Sequence, residues 1–170
     1  MFVFGTAEDV FTMAVRIEEN GHAFYSGAAA KAKDSETKKL FQELADMEAH
    51  HIESFKILRG SLPEKGLSPS VWDPEGLAES YLQASADTHI FTVEAAVSRL
   101  NSVDSSEEAL NMAIQFEKDS VTFFIGMKEL LPDPEGKSEI DQLIRAEMEH
   151  VRMLTAAFRS LNGSGVAGIA

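Results

Sequence analysis

A Glu-x-x-His step occurs twice in this chain, at Glu48 and His51 and again at Glu147 and His150, and the copies stand 99 residues apart. Each lies in a stretch with the helical hydrophobic period, LADMEAHHIESF and LIRAEMEHVRML. Residues i and i+3 share one side of a helix, so carboxylate and imidazole interrupt the same apolar stripe. The same offset carries Glu18 onto Glu117, and both again sit inside apolar stripes. A carboxylate on the buried side of a helix needs a partner or a metal. One lone Glu on each of two helices, with Glu-x-x-His on each of two more, is the ligand pattern of a four-helix bundle holding two metal ions. Four carboxylates and two imidazoles form a mixed oxygen and nitrogen set that suits iron or manganese.

The repeat extends beyond these residues. At the same offset Met13 meets Met112, Ala14 meets Ala113, Phe24 meets Phe123 and Tyr25 meets Phe124. Asp34 meets Asp133, Lys38 meets Lys137 and Leu44 meets Leu143, with no gap needed. Of the 5 histidines only His51 and His150 find a histidine partner. Two helix hairpins related by a pseudo-two-fold axis are the architecture this predicts, with a bimetal centre on the axis. Glu48 and Glu147 are the expected bridging carboxylates, because each is coupled to a histidine on its own helix.

Taken in order, Thr6 or Asp9 starts the first helix, and Asp34-Ser35 ends it. Glu18 lies on the inner stripe and Glu19 one position round, on the exposed side. Gly21 and Gly27 are read as small residues that permit close helix approach. Ser35 is the expected cap of a second helix over 36–58. Residues 60–74 are rich in Pro and Gly and predict a loop. Asp73 and Pro74 then open a long crossover helix over 74–100. Ser105 or Ser106 caps a third bundle helix over 107–130. Pro132-Asp133-Pro134 stops it, and the fourth spans 135–161. The expected fold is all-α, a four-helix bundle over 1–162 with hairpins 7–58 and 107–161, a crossover over 59–106, and a flexible tail over 163–170.

Composition limits what such a bundle meets. A formal charge of -13 disfavours nucleic acid and anionic membranes as partners and favours cations. The chain has no cysteine, which excludes a thiolate zinc or iron site within it. No apolar run approaches membrane-spanning length and no signal peptide is visible, so a cytoplasmic protein is expected. Asn162-Gly163-Ser164 matches a glycosylation pattern that has little meaning there.

The segments IEENGHAFY and FEKDSVTFF, together with the two Glu-x-x-His stretches, resemble the ferritin-like superfamily and within it the rubrerythrin-like proteins. The resemblance covers about 100 residues in two blocks. It implies a non-haem di-iron centre bridged by carboxylates, with Glu18, Glu48, His51, Glu117, Glu147 and His150 as the direct ligands of two iron ions. Manganese or a mixed pair is the alternative. Two departures stand out. Rubrerythrins proper carry a rubredoxin-like domain with four cysteines. They also tend to have a further Glu three residues before the third-helix ligand, where this chain has Ile114.

The function expected on these grounds is reduction of hydrogen peroxide or dioxygen with an external electron donor, by an oxidoreductase that is peroxidase-like or ferroxidase-like. A ferroxidase or iron-handling role, and a metal-dependent binding or sensory module, are the alternatives. A homodimer is the expected assembly. Tyr25, two turns beyond Glu18, is the candidate catalytic side chain, for a hydrogen bond to a ligand carboxylate or for passing an electron; core packing is the other role open to it. His89 and Glu94 are candidates for an added ligand from the crossover helix, and Glu53 and Asp119 for hydrogen bonds to the ligand imidazoles.

Overall fold

Four long helices carry most of the computed structural model, which describes residues 6–62, 75–77, 80, 98, 100–101, 103–131 and 136–164. Helix α1 is Ala7–Lys31, α2 is Ser35–Ser61, α3 is Ser106–Leu130 and α4 is Lys137–Ser164. Thr6 and Asp9 make one capping box at α1. The Asp9 amide donates to Thr6 Oγ1 at 3.3 Å, and the Thr6 amide donates to Asp9 Oδ2 at 2.9 Å. Asp34, not Ser35, caps α2, accepting from the Thr37 amide at 2.7 Å. A carboxylate is the better match to the positive end of the helix, so Ser35 becomes the first helical residue. Ser105 caps α3, accepting from the Glu108 amide at 3.2 Å. Gly136, at φ +83°, leads into α4; a Cβ there would lie 2.5 Å from the Phe11 ring, so only glycine fits.

The core has two apolar clusters, one toward each end of the bundle. The first joins the start of α1 (Val10, Phe11, Ile17) to the end of α2 (Ile52, Phe55), the end of α3 (Phe124, Met127) and the start of α4 (Ile140, Leu143). The second joins the end of α1 (Phe24, Tyr25) to the start of α2 (Phe41, Leu44), the start of α3 (Leu110, Ala113) and the end of α4 (Leu154). Each large side chain buried this way contributes roughly 1.5–3 kcal/mol before entropy is counted. The pairing of ends fixes the topology: α1 and α3 run antiparallel, and α2 and α3 run the same way. The chain must therefore travel back along the bundle between α2 and α3. With α2 at 27 residues, that return spans roughly 40 Å.

The chain is thus an all-α four-helix bundle whose second and third helices are linked through helical residues. Leu77, Ser80, Ser98, Leu100 and Asn101 are helical within the connection. The rest of the expected crossover helix, with Asp73, Pro74, His89 and Glu94, lies outside the described residues, as does Pro132-Asp133-Pro134. The end of the crossover docks on α1. Lys31 Nζ donates to the Leu100 carbonyl at 2.9 Å, and a Cβ on Gly27 would lie 2.9 Å from Leu100 Cδ2. At the C-terminal end α4 continues to Ser164, past Leu161, and residues 165–170 lie outside the description. No helix among the described residues is long and apolar enough to cross a membrane.

Candidate metal centre

Between the two apolar clusters lies a charged layer. Glu18 from α1, Glu48 from α2, Glu117 from α3 and Glu147 and His150 from α4 are buried in it. His51 from α2 completes it and is half-buried. All six residues expected as ligands therefore converge from four helices. Tyr25, the candidate catalytic residue, meets them: its hydroxyl donates to Glu117 Oε1.

His51 Nδ1 lies 3.0 Å from Glu18 Oε2, 3.3 Å from Glu147 Oε1 and 3.7 Å from Glu48 Oε2. His150 Nδ1 lies 2.8 Å from Glu147 Oε2, 3.4 Å from Glu48 Oε1 and 3.4 Å from Glu117 Oε1. Glu48 and Glu147 thus reach both imidazoles, while Glu18 and Glu117 each reach one. The ligand atoms form two clusters, Glu18-Glu48-His51-Glu147 and Glu48-Glu117-Glu147-His150, each with its atoms within 4.8 Å of one another. The shared pair is the one expected to bridge. The imidazole rings face each other across the layer, with centroids 5.6 Å apart and planes 23° from parallel.

These atoms converge without satisfying one another. Glu117 Oε2, both Glu147 carboxylate oxygens and His150 Nδ1 are buried with no hydrogen-bond partner. His150 Nδ1 approaches Glu147 Oε2 closely, but outside hydrogen-bonding angles. Buried polar atoms left in this state are rare. Lone pairs aimed at common points, from four carboxylates and two imidazoles, fit two divalent cations.

Electrostatics leads to the same conclusion. Burial, then the charges of Glu48 and Glu147, push the Glu18 carboxyl well above its usual range. Burial and the charge of Glu147 do the same for Glu117. Burial also acts upward on Glu48 and Glu147, but attractions from neighbouring protonated groups outweigh it. For Glu48 these come from Glu18, His150 and His51, and they hold it low. For Glu147 they come from His150, His51 and Glu117, and they bring it to about 2. Burial alone would lower both imidazoles. The carboxylates of Glu147, Glu18 and Glu48 instead raise His51 to about 12, and those of Glu117, Glu147 and Glu48 raise His150. Without metal the layer is neutral with four protons, and these shifts favour Glu18, Glu117 and both imidazoles as their sites. Two divalent cations balance four ionised carboxylates equally well.

One contributor was not legible from spacing. A Cβ on Gly21 would lie 3.1 Å from Glu48 Cδ. This glycine makes room for a ligand carboxylate as well as for the neighbouring helix. Glu53, a candidate partner for a ligand imidazole, is exposed on α2, with Lys56 Nζ 3.4 Å from its Oε1. Asp119 is half-buried on α3.

A bundle with this double cluster defines the ferritin-like, diiron-carboxylate class. The Rubrerythrin family model matches residues 9–158, and the chain belongs to that family. Among solved structures, it is similar to a crystal structure described as a ferritin-like diiron-carboxylate protein, from Thermotoga maritima. The two share 26% identity and superpose with a TM-score of 0.70, covering 94% of this chain and 98% of that one. No curated protein matches the chain.

Proposed function

We propose that this protein is a non-haem di-iron oxidoreductase that reduces hydrogen peroxide or dioxygen with electrons from an external donor. The observation that carries the reading is the pair of buried clusters sharing Glu48 and Glu147. In this reading Glu18 and His51 would hold one ion, Glu117 and His150 would hold the other, and Glu48 and Glu147 would serve both. Bound iron supplies Lewis acidity and the two electrons that, with two protons, convert hydrogen peroxide to two waters. The protein's own residues set the conditions. The four carboxylates neutralise the cations, and the apolar clusters cover the layer on two sides. Tyr25 places a proton at Glu117 Oε1. Burial and the charges of Glu117 and Glu48 push its own pKa well above the ordinary phenol value, so the hydroxyl keeps that proton at neutral pH. The 170 residues include no cysteine, so a thiolate iron centre that resupplied electrons would lie outside them. A cytoplasmic homodimer is the assembly and setting we assign to it.

The test is stopped-flow mixing of the anaerobic Fe(II)-loaded protein with hydrogen peroxide. Oxidation of two irons per chain is the expected result. Unchanged Fe(II) after mixing overturns the proposal. Turnover of many Fe(II) per chain with mineral formation replaces it with ferroxidase activity.

A further inference from the structure

The two halves of the centre are built unequally, although the repeat predicts them equal. The His51 side chain is 20% exposed and that of His150 is 2% exposed. Beside His51, between α2 and α4, lies a cavity of about 530 Å³. Its wall includes the polar side chains of Ser54, Glu139 and Gln142 and the apolar ones of Phe55 and Leu143. The cavity therefore reaches from solvent to a ligand imidazole, and its wall carries one carboxylate that attracts cations.

Among the described residues, the ligands of the opposite half are more deeply buried. Tyr25, fully buried, lies between Phe24 and Phe41, with ring centroids 5.3 Å and 6.0 Å away. Its hydroxyl ties Glu117 in place. The repeat puts Phe124 at the equivalent position, so that position offers no hydroxyl to Glu18. A ligand carboxylate also held by a residue outside the ligand set binds a metal more tightly than one without that support.

We propose that the two metal positions exchange at different rates. The Glu18–His51 position exchanges through the port beside His51, and the Glu117–His150 position, held by Tyr25, retains its ion. The inference rests on the two-metal reading above and adds an order of exchange and a route. On this route Glu139 and Gln142 would line the passage for a hydrated divalent cation, and His51 would be the ligand nearest solvent.

Cobalt(II) is a redox-stable probe for this. The protein is loaded anaerobically, its metal content is measured, and EDTA is added while the d–d absorption is followed. Two phases of equal amplitude are expected, separated by roughly tenfold or more in rate. Q142W at the mouth of the port should slow the fast phase and leave the slow one. S54W on the facing helix serves the same purpose if Q142W does not fold, as judged by circular dichroism. Tyr25→Phe should accelerate the slow phase and leave the fast one. Release of both ions in a single phase overturns the proposal, as does a fast phase unchanged by a folded port variant. Fewer than two Co(II) per chain at the loading step instead overturns the two-metal reading, so the two failures are distinguishable.

Discussion

Phe41 and Glu117 are buried to nearly the same degree, 0% and 1% exposed, in the same bundle core. The burial of Phe41 drives folding, because removing apolar surface from water yields about 25 cal/mol per Å². The burial of Glu117 opposes folding, because an ionised carboxylate loses its hydration and faces other carboxylates. The apolar clusters therefore supply the stability and the layer between them draws on it, unless protons or cations balance its charge. The comparison separates the part of the core that makes the fold from the part that makes the chemistry.

The largest effect should come from the apolar side. Phe41→Ala leaves a cavity next to Tyr25 and should cost about 3–5 kcal/mol. Urea unfolding of the metal-free protein at pH 5 measures it. A loss below about 1 kcal/mol would show that this cluster is loosely packed and that the comparison is overdrawn.

The layer should show itself through pH. Glu18, Glu117, His51 and His150 have folded-state pKa values above the ordinary 4.5 and 6.5. Such groups stabilise the folded state fully below their unfolded values, and lose that contribution as pH rises through the folded ones. Glu48 is held low and Glu147 is brought to about 2. Their contribution is present above 4.5 and is lost as pH falls toward the folded values. Metal-free protein should therefore be most stable close to pH 5 and weaken toward pH 8. The fall should steepen above 6.5, where the histidine protons join, by up to about 1.4 kcal/mol per pH unit for each proton retained. Metal-loaded protein should escape this fall, because the bound form requires the deprotonated groups. Glu18→Gln should flatten the metal-free profile and raise stability at pH 8 while weakening metal binding. Urea midpoints at both pH values, with and without Fe(II) under anaerobic conditions, decide the matter. A flat metal-free profile together with a destabilised Gln variant would make the six residues a structural network.

The smallest effect should be on stability and the more telling one on metal. Gly21→Ala removes a helix-interior glycine, a change worth roughly 0.5–1 kcal/mol in favour of the helix. Its Cβ meets the Glu48 carboxyl at 3.1 Å, however, and that carboxyl must shift. Unchanged or slightly higher unfolding midpoints with about tenfold weaker Co(II) affinity are expected from chelator competition. An unaltered affinity would mean that Glu48 has slack and that the layer is less tightly constructed than the apolar clusters.

Helix period, caps and the duplicated Glu-x-x-His step are local or evenly spaced signals. They determined the four helices, the class of bundle and the six converging residues from the sequence alone. The position of Asp34 as a cap was harder to see, because Asp34 and Ser35 are both good caps and only the helix phase separates them. The repeat, by its nature, predicts equivalence. Tyr25 opposite Phe124 already breaks it in the sequence; tertiary structure decided what that break touches and where else equivalence fails, because neighbours from other helices set exposure and hydrogen bonding. His51 opens onto a cavity made with α4, whereas the His150 side chain is only 2% exposed. Tyr25 on α1 reaches Glu117 on α3 across 92 positions of sequence. Gly21 clears space for a carboxylate on another helix. Spacing along one helix carries none of these contacts, since each depends on the distance between side chains that only the packed bundle brings together.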